Sequence, residues 1–382
     1  MRSSRDAVIT LCLLAAGSLA ACDGGPGARR PSQWRGFDHQ WLALAPLEAR
    51  ALSEGDFLGI PVRVAVVGPH LVVADLAGSS PLHLMRASDG RHLASFGGRG
   101  EGPGEFRSAA NVLEVPGSES VFWVYDFNLG RITRFDLAEP DSSRFAGRNS
   151  ILLQTAAAYN PILLADSVVL SLGYFAGGRL GEFDRQGKLA REHGAVPPGS
   201  ADHPYHIRQH SYYGTLAADS RRSRIAVACN YAGQLELYSG DGRFLGLGRA
   251  PYRFEPRFAA VEGRRGLNFQ VVPDLRYGYV GVAATDRYVL ALFSGRTHEP
   301  SPRSAGEGEY VHVFDWSGRF VKALRLNTAV TSIAVSPDGS RLYAVRSDPR
   351  PGVLEFPLAE ALPAPVPGGL AERTRTGARA GS

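Results

Sequence analysis

The sequence predicts an all-β chain folded as a six-bladed β-propeller of four-stranded antiparallel blades, its ring closed by an N-terminal strand. Two observations lead there. Short runs rich in Val, Ile, Leu, Tyr and Phe alternate with clusters of Gly, Asp, Ser and Pro, and no stretch keeps helical spacing over three turns. The runs also recur as one layout, six times at a spacing of roughly fifty residues. A four-stranded sheet cannot bury both faces alone, and packing such sheets around an axis solves that.

Each unit opens with an apolar run: PVRVAVV, NVLEV, PILLA, GTLAAD, YVGVAA and VTSIAV. A strand, a loop and a second strand follow, as in LVVADLAGSSPLHLMRASDGRHLASFG. In four of the six units the next strand is reached through a tight turn, SDGRHL, RQGKL, GDGRF or WSGRF, whose Gly supplies the positive φ such hairpins need. The last unit has three strands, since nothing strand-like follows VLEFPL. The unassigned WLALAPL, residues 41–47, is therefore expected to supply the outer strand of blade six and close the ring. A sandwich or two separate barrels are the competing architectures.

FGGRGEGPGEFRSAANVLEV, residues 96–115, resembles the linker and inner strand of NHL-type and TolB-like six-bladed propellers. VHVFDWSGRFVKALRL and TSIAVSPDGSRLYAVRS resemble the closing blades of TolB-like propeller lipoproteins. The likeness covers residues 55–358, and departs from the NHL pattern at Ser108 to Ala110, where a proline is usual and a looser start to the strand is expected. The Gly-rich stretch itself reads as a hinge between blades. A phosphate loop would lead into a helix and carry a lysine, whereas a strand follows here.

The ends carry a different message. MRSSRDAVITLCLLAAGSLAAC has a basic start, a short apolar run and small residues before Cys22, the layout of a secretory signal. Leu19 to Cys22 resembles the bacterial lipobox, which implies cleavage before Cys22 and lipidation of its thiol; an ordinary signal peptide with an incidental cysteine is the alternative. The expected organisation is a signal at 1–21, a tether at 22–35 from lipidated Cys22, the propeller at 36–358 and a disordered tail at 359–382. The body would lie outside the cytoplasm, on the periplasmic side or the cell surface, with the membrane as one partner. Only Cys229 then remains as a free thiol, so no internal disulfide supports the fold. The formal charge of +5 over 382 residues is almost all arginine, Lys188 and Lys322 being the only lysines. Export argues against a nucleic-acid partner.

In a propeller, the connections from outer strand to next inner strand open on the same face as those between second and third strands, and the tight hairpins open on the other. The long loops 201–214, 250–277 and 294–310 all fall on the first face, leaving short turns on the second. The first loop holds His203, His206 and His210 at spacings of three and four, with Tyr205, Arg208, Tyr212 and Tyr213. As a metal site the trio is weak, with Asp202 its one close carboxylate; the tyrosines offer flat faces to sugar rings or apolar side chains. The second loop interleaves Arg253, Arg257, Arg264 and Arg265 with Tyr252, Phe254, Phe258 and Phe269, a composition common at protein-binding hot spots and suited to anionic glycans. No Gly-x-Ser-x-Gly elbow appears, and Cys229 lies in an apolar run. The expectation is a non-enzymatic scaffold without cofactor that binds a peptide, protein or glycan on this face. The alternative is a lactonase-like hydrolase or lyase with axial Ca or Zn, for which Asp166, Asp219 and Asp286 are the available carboxylates.

Overall fold

In the computed structural model, six sheets stand around one axis. It describes residues 44–362 apart from 78–79, 140–143, 148, 156–157, 198–201 and 265. The signal, Cys22 and the tail beyond 362 thus lie outside the described residues. The inner strands are Pro61–Val67, Ala109–Glu114, Ala158–Ala165, Gly214–Ala218, Tyr279–Ala284 and Ser332–Val335, one from each expected apolar run. Apart from the two N-terminal closing strands, the strands of each blade follow in sequence order from axis to rim and pair antiparallel.

Six apolar clusters lie one at each contact between neighbouring blades, and a small seventh gathers Val196, Tyr212, Cys229 and Ala232. Val72, Leu82 and Phe96 of blade one meet Phe122, Val124 and Phe135 of blade two, for example. Val289, Ala291 and Phe293 of blade five meet Ala226, Leu235 and Leu237 of blade four. Both faces of each sheet are therefore buried, which is why the second strands are near-continuous apolar runs such as YVLALF instead of alternating ones. Each enclosed Val, Leu or Phe contributes about 1.5–3 kcal/mol. Hairpin glycines 90, 187, 242 and 318 all have φ between 74° and 82°, as the turn motifs predict.

Ring closure differs from the sequence expectation in which residues perform it. Leu44–Leu47, within WLALAPL, pairs parallel with Phe320–Val330 and makes a fifth strand on blade five. The outer strand of blade six is instead Arg50–Ser53, antiparallel to Gly352–Pro357. Pro46 has no N–H to donate, so a strand containing it suits the extreme edge of a sheet. In Arg50–Ser53, Leu52 turns inward to join the cluster between blades six and one. At the turn of blade one, a Cβ on Gly90 would stand 2.2 Å from the Leu52 carbonyl oxygen, so this closing strand fits tightly.

Two further differences are local. The start of blade two is not loose: Asp126 accepts from the backbone N–H of Arg107 (2.6 Å) and Ser108 (3.1 Å) and from the Ser108 hydroxyl (2.9 Å). The carboxylate thus does what the absent proline would. On the hairpin face, the connection from Asp136 to Asn149 is longer than a turn, and its Phe145 stacks on Phe96 at 4.4 Å. The Gly-rich hinge closes on itself, with Glu105 accepting from the Gly102 N–H at 2.8 Å and Arg131 bonding the carbonyls of Glu101 and Gly102 at 2.7 and 3.1 Å. A carboxylate already occupies the place where a phosphate would need free N–H groups.

Candidate functional site

The two loops singled out by composition meet above blade four. The first contains a seven-residue helix, Tyr205–Ser211, which Pro204 starts and which ends before the inner strand of that blade. Its Gln209 is buried and donates to the carbonyls of Phe175 and Gly178 at 2.8 and 3.2 Å, fastening the helix to blade three. The second loop forms a hairpin, Ala259–Gly263 with Gly266–Gln270. Between them, His206 Nε2 lies 2.9 Å from the Leu267 carbonyl, and the His210 ring stacks on Phe269 with centroids 4.1 Å apart. Phe269 continues the stack to Phe258 at 4.9 Å and to Tyr231 at 5.9 Å. His203 packs on Phe258 at 5.0 Å.

The three histidines therefore diverge. His203 faces Phe258, His206 the Leu267 carbonyl, and His210 the Tyr174 hydroxyl, 2.6 Å from Nδ1. Among the described residues, no three His, Cys, Asp or Glu side chains are grouped to hold a metal ion. Burial pushes the His210 pKa down to about 4, with His206 adding to the effect.

The tyrosines divide. Tyr212 is fully buried, its hydroxyl bonded to Glu255, and Tyr252 is buried against Phe293 and His312; both support the rim from below instead of facing solvent. Tyr205 and Tyr213 are half-buried, Tyr205 under the Arg208 guanidinium and Tyr213 stacked on Tyr159 at 4.6 Å. Arg208 also donates to the Val196 carbonyl at 3.3 Å. Arg253, Arg257 and Arg264 are exposed, while Arg265 lies outside the described residues. Arg257 pairs with Asp274 at 2.9 Å beside a hollow of about 400 Å³ lined by Asp202, His203, Pro256, Arg257, Phe258, Val272 and Asp274. The rim is thus aromatic beneath and mixed in charge above, with Arg253, Arg257 and Arg264 exposed among Asp202, Glu255, Glu262 and Asp274.

The carboxylates of the axial-metal alternative are engaged elsewhere. Asp219 accepts from Ser223 and Arg224, Asp286 from the Ser220 N–H at 2.9 Å, and Asp166 from Trp123 Nε1 at 3.1 Å. The axis itself holds residues that strand patterns did not reveal. A channel of about 150 Å³ is lined by the six inner strands, with Arg63, Asn111, Asn160 and Thr215 toward the insertion face and Glu114 and Arg222 toward the other. The available signal was a polar residue inside an apolar run, such as Arg63 in PVRVAVV.

A family model described as TolB-like 6-blade propeller-like matches residues 45–338. No curated protein matches the sequence. Among solved structures, the chain is similar to the RRP9 WD40 repeats at 13% identity, covering 78% of this chain and 79% of that one with a TM-score of 0.46. It is also similar to U3-55K (12%, 78% and 80%, 0.45) and to Kuenenia stuttgartiensis hydrazine synthase (10%, 80% and 97%, 0.47). At these values none of the three carries an argument about this chain's activity. Among the described residues, no helix is long and apolar enough to cross a membrane.

Proposed function

From its place in the TolB-like 6-blade propeller-like family, to which this chain belongs, we propose that it is a lipid-anchored extracytoplasmic binding scaffold. It takes a peptide, protein or glycan on the insertion-bearing face, above blade four, and has no catalytic role. One observation supports this reading above all: two independent insertions, from different inter-blade connections, pack together through His206, His210, Phe258 and Phe269 and present Arg253, Arg257 and Arg264 outward. Loops this long are uncommon without a reason, and a rigid aromatic base under exposed arginines suits recognition of partners with carboxylate or other anionic groups. Anchoring rests on Leu19 to Cys22.

The rim is tested by replacing Arg253, Arg257 and Arg264 together with Ser and comparing capture of envelope proteins and acidic polysaccharides with that of the parent. A hairpin-face control carries Ser at Arg91 and Arg185. Exposed changes of this kind cost under about 0.5 kcal/mol each, so both variants should melt like the parent. Capture lost in the first and kept in the second supports the reading; the reverse pattern removes it. For the anchor, Cys22→Ala should leave the protein uncleaved or soluble, and a variant that is cut at the same place yet still partitions with membranes after a high-salt wash refutes lipidation.

A further inference from the structure

Among the described residues, Arg63 is the one charged side chain on the channel wall without an acidic partner. Of the residues lining the channel, only Arg63, Glu114 and Arg222 are charged. Arg222 and Glu114 lie together toward the hairpin face, where Arg222 Nη2 donates to the Glu114 carbonyl at 3.3 Å and its charge offsets the burial that raises the Glu114 pKa. Arg63 stands toward the other mouth, opposite Tyr213, and makes no hydrogen bond or ion pair among the described residues.

Its surroundings are built and rigid. Asn160, held at φ 49°, donates to the Tyr213 hydroxyl at 3.0 Å and the Gly214 carbonyl at 2.7 Å, and accepts from Asn111 Nδ2 at 3.1 Å. Burial holds the Arg63 pKa below its usual value, although the residue is only half-buried at the channel mouth. A guanidinium with no protein partner in a poorly solvated channel costs stability.

We propose that the insertion-face mouth of the axial channel binds the carboxylate of a small monoanionic organic acid, with Arg63 pairing the carboxylate. The charge sets the class. A cation would face Arg63, and a neutral molecule would leave the guanidinium unpaired. A phosphate dianion would bring one negative charge more than the site can match in a poorly solvated space. A planar carboxylate fits the guanidinium fork in bidentate fashion. The channel volume of about 150 Å³ is near that of an engineered cavity that holds benzene, so an acid of roughly benzoate size is the upper bound.

The site is separate from the rim above blade four, and its test is independent of that reading. The mature domain is titrated with sodium benzoate and sodium acetate at constant ionic strength, with phosphate and benzyl alcohol as comparison probes, following the melting temperature and heat of binding. Benzoate should bind saturably and raise the melting temperature; phosphate and benzyl alcohol should not. Arg63→Met should weaken benzoate at least about tenfold, as expected for loss of one partner of an enclosed charge pair. Without ligand it should melt at or above the parent, because it removes an unpaired charge. The triple Arg rim variant should bind as the parent does. Unsaturable benzoate binding, equal binding by Arg63→Met, equally tight phosphate, or an Arg63→Met protein that melts well below the parent each overturns the proposal, the last by showing Arg63 to be structural.

Discussion

Arg179 of blade three and Glu236 of blade four form an ion pair wholly enclosed between the two sheets, with Nε to Oε2 and Nη2 to Oε1 both at 3.3 Å and side-chain exposures of 0% and 1%. Glu236 also accepts from the Tyr238 hydroxyl at 2.7 Å and from Gln234 at 3.2 Å, while Arg179 donates to the Tyr212 carbonyl at 2.5 Å. The pair therefore joins two blades and fixes the end of the rim helix. Glu236→Ala leaves a buried cation unpaired and should cost about 3–5 kcal/mol in urea unfolding. Arg179→Met combined with Glu236→Gln should recover part of that loss. A single variant that unfolds at the parent's midpoint would show that the pair has no structural weight.

Cys229 lies against the same pair, its Sγ 3.2 Å from Glu236 Oε1. Burial and the neighbouring carboxylate push its pKa up, so the thiol stays protonated. The mature folded domain should resist alkylation at pH 8 over hours and react fully once unfolded. Rapid labelling of the native protein would contradict the enclosure of this cluster.

Closure of the ring by two consecutive strands gives separable effects. Leu47 is buried between blades five and six and Leu52 between six and one. Changing either to Ala should cost about 2–3 kcal/mol. Deletion through residue 47 should lower the melting temperature but keep one cooperative transition. Deletion through residue 53 should abolish cooperativity and cause aggregation, because it bares a sheet edge and the apolar surface beside it. Calorimetry of the two truncations distinguishes these outcomes, and equal melting of both would mean that Arg50–Ser53 does not close the ring.

His210 gives stability a sign with pH. Its folded pKa of about 4 lies below the ordinary histidine value of 6.5, so between these values the unfolded chain binds more protons than the native one. The neutral ring's full contribution is present above pH 6.5 and is lost as pH falls toward 4, by up to ~3 kcal/mol. His210→Phe keeps a ring on Phe269 and should flatten the fall in urea midpoint between pH 7 and pH 5. An unchanged pH slope in that variant would assign the effect to other groups.

The ring was legible in the sequence because its causes are local. Alternating runs and hairpin glycines set each strand, and six repeats of one layout leave few ways to bury both faces of every sheet. Closure was legible only as a need: WLALAPL reads as the closing strand and RALS does not read as a strand, because the partner of each depends on contacts about 300 residues away, such as Leu44 with Ala323 and Arg50 with Glu355. The meeting of His210 with Phe269 was legible at the level of loops, since both connections flank blade four. The burial of Tyr212 was not, because it depends on Glu255 and Val196 packing over it from elsewhere in the chain. Arg63 carried a signal in being charged within an apolar strand, but its lack of a partner is a property of the assembled channel.

The parallel pairing of Leu44–Leu47 also sets the side of the ring from which the chain arrives. Phe320–Val330 runs from the hairpin side to the insertion side, and Leu44–Leu47 runs with it, so the chain comes into its first described strand from the hairpin side. Gly352–Pro357, the last strand, runs out on that same side. A lipid carried at Cys22 would draw the hairpin side toward the bilayer. The channel mouth at Arg63 and the rim above blade four would then look outward like an upturned cup, in reach of molecules diffusing past the membrane surface.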